Sequence, residues 1–323
     1  MFLLKKVCLT LFLPLFLACM ICGCSQSKGR LHHWMEDNGK RKILSTTAQI
    51  GDLVSAIGGE RVDNWVLIQG DLDPHSYEIV KGDGEKLDRA DLIFYNGLGL
   101  EHGAGLSSLL KKSTKSIPVG DKIREAEPKK ILMKGGSVDP HIWMDISLWQ
   151  KAIGPIVEGL SAADPEGASY FQQRGEALAL EMEGTHLKVR ERLSKIDSEK
   201  RYLVTSHDAF QYFTRSYLAE PNEPDWSKRF AAPEGLAPDG QINPLDIQRI
   251  IVFLRTHQID VIFPESNVSR DSIKKIALSG KELGLAVRIC SEPLYGDSMS
   301  GIPYLEMMVR NADVIGRYLE QSK

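Results

Sequence analysis

From Ile43 onward, short apolar runs alternate with longer stretches in which apolar residues recur every three or four positions. Runs at 65–68, 92–95, 202–205, 261–263 and 286–289 are short and mostly apolar, the pattern of buried strands. Between them, 48–57, 145–160, 244–256 and 271–283 have the spacing of helices with one buried stripe. Strand and helix in alternation predict an α/β fold with largely parallel sheets. One element stands apart in mid-chain. Asp164-Pro165-Glu166 is a strong helix start, and Phe171, Leu178, Met182, Val189, Leu193 and Ile196 then recur at helical steps. The spacing predicts one long helix over 164–198, a stiff spine between two α/β lobes at 43–163 and 199–323. Pro221, Pro224, Pro233 and Pro238 punctuate 219–240, which reads as a surface excursion.

The N-terminus departs from this pattern. Lys5 and Lys6 precede an almost wholly apolar run at 7–21, the order of a secretory signal spanning 1–23 and too short to cross a membrane comfortably. Ile21-Cys22-Gly23-Cys24 resembles a lipobox, which makes Cys24 the expected lipidation site and membrane tether. The alternative is a plain cleaved signal in which these cysteines are incidental. Either way the protein is expected in the periplasm or outside the cytoplasmic membrane. Residues 24–42 are polar and read as a tether. After cleavage only Cys24 and Cys290 remain, so an apolar core and not a disulfide must hold the fold. The formal net charge is −3, which gives no basic excess for nucleic acid.

The chain has 8 histidines, and three of them stand in settings that suggest chemistry. His75 and His141 each end an Asp-Pro-His tripeptide, with Asp73 and Asp139 placed to accept a hydrogen bond from the imidazole nitrogen that does not face a metal. His207 directly follows the run at 202–205, and Asp297 follows the run at 286–289. Ligands in open α/β sheets collect beyond the carboxyl ends of strands. Three imidazoles and a carboxylate suit zinc, manganese or iron, whereas calcium and magnesium sites are built from oxygen. Glu265 closes the run at 261–263, where it can hydrogen-bond a ligand imidazole or a loop backbone. His32, His33, His186 and His257 read as surface or partly exposed residues, and His102 as a surface or helix-entry residue that could alternatively line the cleft. Composition and spacing alone leave each histidine as readily a polar loop residue as a ligand.

In order along the chain, 73–78, 96–101, 139–143, 207–210, 263–267 and 294–300 resemble the motifs of the TroA-like metal receptors of ABC importers. That cluster includes zinc and manganese receptors and adhesin lipoproteins. The resemblance covers nearly the whole chain from Ile43. It implies two α/β lobes joined by one rigid helix, with a metal between them held by His75, His141, His207 and Asp297. It also implies one divalent transition-metal ion as cargo (zinc, manganese or iron), an import permease with its ATPase as partner, and a monomer with no catalytic residues. Two departures stand out. The stretch 106–138 has no histidine, where members dedicated to zinc carry a histidine-rich loop, and His207 stands where manganese members often have Glu.

Other chemistries fit less well. Ser206, His207 and Asp208 are consecutive and cannot form a hydrolase triad. A mononuclear zinc hydrolase needs an open metal position, which four protein ligands would close. A surface adhesin lipoprotein would share the lipobox but would not need convergent histidines. Gly82-Asp83-Gly84 lacks the remainder of a phosphate-binding loop.

Overall fold

The computed structural model describes residues 29, 31–238 and 242–321; the signal segment and Cys24 lie outside them. In the first lobe β1 (Arg41–Ser45), β2 (Val62–Val66), β3 (Leu92–Tyr95) and β4 (Ser116–Pro118) form a parallel sheet in the order β2-β1-β3-β4. The helices α1 (Ala48–Gly58), α2 (Asp83–Arg89), α3 (Ala104–Lys112) and α4 (Val119–Ala126) connect and flank the strands. Side chains alternate between the two faces of a strand. Ile43 and Phe94 therefore enter the main core, while Leu44, Trp65 and Ile93 enter a second apolar layer.

A short hairpin, β5 (Met133–Lys134) with β6 (Ser137–Val138), and α5 (Ile153–Ala163) lead to the long helix α6 (Ala168–Ser194). The second lobe pairs β7 (Leu203–Val204) with β8 (Phe230–Ala231) in parallel. After α7 (Pro244–Thr256), β9 (Val261–Ile262) runs parallel to β10 (Arg288–Ile289), with α8 (Asp271–Glu282) between them and α9 (Tyr304–Gln321) closing the chain. The Phe263 N–H donates to the Val204 carbonyl at 2.8 Å and joins the two strand pairs.

The long helix has 27 residues, about 40 Å at 1.5 Å per residue. Phe171, Met182, Val189 and Leu193 are buried along it, and Leu178 is partly buried. Each fully buried side chain of this size contributes about 1.5–3 kcal/mol against exposure. The same continuous core takes Ile43, Phe94 and Trp143 from the first lobe and Phe210, Phe263 and Tyr304 from the second. The helix is thus cemented to both lobes along its length. Its start differs from expectation: Asp164 caps nothing and instead receives Arg61 through two hydrogen bonds of 2.6 and 2.9 Å.

Three other expectations change. The helix expected at 145–160 starts where expected, capped by Asp145, but tightens at Gln150–Ala152 between Ile146–Trp149 and α5. Residues 31–42 are not a loose tether. Trp34 is 2 % exposed, packs on Trp65 and donates from Nε1 to the Asp63 carbonyl, and buried Lys42 pairs with Asp63 at 2.7 Å. Lastly, the proline-rich excursion contributes β8 to the second sheet.

Candidate metal centre

Each singled-out side chain sits where a strand or turn ends. His75 lies in the loop leaving β2, His141 heads the turn Ile142–Met144, His207 follows β7, and Asp297 lies between β10 and α9. One ligand-capable atom from each of the four lies within 4.8 Å of all the others. The Nε2 atoms of His75 and His141 are 3.2 Å apart. Asp297 Oδ1 stands 3.3 Å from His141 Nε2, and its Oδ2 stands 3.2 Å from His207 Nε2 and 3.7 Å from His75 Nε2. All four residues are buried. Buried polar atoms normally find a partner. Here His207 Nε2 and both Asp297 oxygens converge without hydrogen-bonding geometry, as donors around a cation would.

The outer atoms are held more conventionally. Asp139 Oδ1 accepts from the backbone N–H of His141 at 3.0 Å and from its ring Nδ1 at 2.7 Å, which fixes the tautomer and turns Nε2 inward. Glu265 stands in the matching place beside His207: Oε1 accepts the backbone N–H at 2.9 Å, and Oε2 lies 2.8 Å from Nδ1 as a close ion-pair contact. Asp73 does not follow the pattern expected from the repeated tripeptide. Its carboxylate accepts from the His75 backbone N–H and from Ser76 Oγ, shaping the turn and leaving the ring alone. The loop beyond His75 is tied down by Asp83, which receives Tyr77 Oη, the Val80 N–H and Lys86 Nζ.

Charge in the cluster is uneven. Burial drives His75 down to about 3, and nearby Asp297 only partly opposes this. Burial also opposes a charged His141, but its bonds to Asp139 and Asp297 prevail and hold it at about 9. His207 is likewise pushed well above its ordinary value, the desolvation cost being outweighed by Glu265 and Asp297. Burial would raise Asp297, yet His207 and His141 hold its carboxyl well below the usual range.

Several residues that position the site went unread in the sequence. Gln49 Nε2 donates across the cleft to the Asp297 carbonyl at 2.9 Å, and Trp143 Nε1 to the Gly296 carbonyl at 3.0 Å. Ser298 Oγ binds Asp71, and Tyr304 Oη donates to the Trp143 carbonyl. Buried Glu101 gathers Thr46 Oγ1 and the backbone N–H groups of Asn96 and Gly97, while Asn96 Nδ2 reaches the Pro140 carbonyl beside His141. Asn96 and Glu101 bound the 96–101 motif, Trp143 closes the 139–143 motif and Ser298 lies in the 294–300 motif, whereas Thr46, Gln49, Asp71 and Tyr304 had no signal in the sequence.

Known proteins resemble this chain over most of its length. The metal-binding protein YtgA of Chlamydia pneumoniae is 40 % identical over 288 residues, covering 88 % of this chain and 86 % of the relative. The manganese-binding lipoprotein MntA of Bacillus subtilis is 32 % identical over 266 residues, covering 80 % and 81 %. The crystal structure of Fe(III)-bound YtgA from Chlamydia trachomatis superposes with a TM-score of 0.83 at 36 % identity, covering 87 % of this chain and 98 % of that one. Residues 43–317 match the family described as the periplasmic component A of the zinc-uptake complex, and the chain belongs to that family.

Proposed function

We propose that the protein is an extracytoplasmic receptor that captures one transition-metal ion (zinc, manganese or iron) with His75, His141, His207 and Asp297, and passes it to an ABC-type import permease with its ATPase. The observation that carries this reading is the convergence of three imidazoles and one carboxylate, drawn from both lobes, with their ligand atoms within 4.8 Å. The names of the relatives agree with it, since they include metal-binding proteins and a metal ABC transporter substrate-binding lipoprotein. Asp139 and Glu265 keep two imidazoles aimed at the position of the cargo. Among the described residues no helix is long and apolar enough to cross a membrane; Cys24, in the lipobox-like segment, is the proposed tether.

The hydrolase reading needs a ligand position left open for water. Four buried protein ligands leave a tetrahedral ion no such position. Elemental analysis of protein purified without added metal, repeated on His207→Ala and Asp297→Ala, tests the receptor reading. One equivalent in the parent and none in either variant is expected. Undiminished metal in both variants overturns the ligand assignment, and ester or phosphate turnover that disappears with the metal overturns the receptor reading.

A further inference from the structure

Three of the four cluster side chains are sealed: those of His141, His207 and Asp297 have no exposed surface. His75 alone reaches the wall of an open cavity of about 690 Å³, which His102, Leu98, Arg124, Lys134 and Pro140 also line. An ion coming from solvent through this cavity therefore meets His75 first. The ring of His102 stands beside it, with centroids 5.7 Å apart and planes at 52°.

His102 is exposed, but it is not a loose surface residue. It directly follows Glu101, whose buried carboxylate pins the turn through the N–H groups of Asn96 and Gly97. Gly97, Leu98 and Gly99 all adopt positive φ, a run that curls the backbone back on itself. The curl brings the Gly99 carbonyl to 3.3 Å from His102 Nδ1, and the His102 N–H binds the Leu100 carbonyl at 2.9 Å. A carbonyl can only accept, so Nδ1 carries the ring proton and Nε2 keeps a free lone pair. Arg124 and Lys134, the cations on the same wall, are paired with Asp121 and Asp208. Among the described residues, His102 is thus the metal-binding side chain that this cavity presents ahead of the cluster.

We infer that His102 is a transit ligand: an arriving ion exchanges a water for His102 Nε2, then moves to His75 and the buried cluster, and leaves by the same route. The inference rests on the receptor reading and adds a residue that would not contact the ion at equilibrium. A stop on the path lowers the barrier in both directions. Its loss must therefore slow association and dissociation by one common factor and leave Kd where it was.

Stopped-flow mixing with Co²⁺, followed by the visible absorption of imidazole-bound cobalt, tests this in wild type, His102→Gln and His102→Glu. Gln keeps the size of the side chain but ligates metal poorly, whereas Glu keeps both size and ligation. Salt at about 1 M shortens the screening length to about 3 Å and suppresses simple steering by the added charge. Gln is expected to slow kon and koff together by about three- to tenfold, with Glu close to wild type. Unchanged rates in Gln overturn the inference, as does equal slowing by Gln and Glu, which marks a steric gate. Faster koff with a raised Kd overturns it in favour of a structural or equilibrium role. Equilibrium titration of the wild type separates the two readings: one bound Co²⁺ with a negative kinetic result removes only the transit role, while no bound Co²⁺ removes the receptor reading and the transit role together.

Discussion

Ser298 Oγ lies 2.5 Å from Asp71 Oδ1, so the residue next to Asp297 is fastened to a loop of the opposite lobe. Ser300 Oγ reaches the same oxygen at 3.0 Å. Deeper in the cleft, Gln49 and Trp143 hold the carbonyls of Asp297 and Gly296. The Asp297 loop is therefore docked on the first lobe by bonds that do not involve the ligand atoms. Since the long helix is cemented into both lobes, this loop is the element whose release would free the carboxylate with little hinge motion. Asp71→Ala is expected to raise koff for metal by about two- to tenfold while kon stays near wild type, an exposed hydrogen bond being worth about 0.5–1.5 kcal/mol. Chelator-chase kinetics would measure it, and an unchanged koff would show that the latch carries no energy.

Most of the architecture was legible because it depends on local pattern. The helix expected at 244–256 is observed at those residues, and the strand at 92–95 likewise. The four clustered side chains were named from strand ends and motif order, and the structure brings them together with Asp139 and Glu265 beside two of the imidazoles. What escaped depends on distance along the chain. Gln49 and Asp297 are 248 positions apart, and nothing near either residue announces the bond. Strands of two residues such as Phe230–Ala231 are too short to show a period. Trp34 looked like part of a tether because its partner, Trp65, lies a full strand-helix-strand unit away. The Asp73 expectation failed for a different reason: the same tripeptide serves a turn at His75 and an imidazole at His141.

Gly296 carries a second prediction. A Cβ there would lie 2.5 Å from Glu265 Oε2, the oxygen that faces His207 Nδ1. Gly296→Ala should push Glu265 off the imidazole and weaken metal binding by about 10–100-fold, the range for losing such a support. In a Glu265→Ala background the clash has no target, so the added methyl should cost little more. Competition titrations on the double-mutant cycle would show this non-additivity. Fully additive losses would place the damage elsewhere.

Metal removal should be visible as stability, because an ion bridging both lobes binds only the folded chain. At about 100 times Kd the ion adds about 2.7 kcal/mol. Calorimetric melting with and without a chelator should show Tm several degrees higher in the loaded protein. Asp297→Ala should melt at the same temperature under both conditions. A metal-dependent rise that survives in that variant would mean the ion sits somewhere else.

Asp83 offers a pH test that does not involve the cluster. Burial would raise its carboxyl pKa, but Lys86, the Val80 N–H and Tyr77 Oη more than offset this and hold it below the ordinary value. A group with a depressed folded pKa contributes stability above its unfolded pKa and loses it as pH falls through the folded one. Asp83→Asn should therefore cost about 1.5–3 kcal/mol at pH 7, the worth of a hydrogen bond to a charged group, as read from urea unfolding. The gap between the two proteins should hold down to about pH 4 and narrow below it, as the wild-type carboxylate takes up its proton. Because these bonds shape the loop that follows His75, the variant should also bind metal more weakly at pH 7. A stability gap that widened as the solution was acidified would reverse the sign of the argument and remove Asp83 from it.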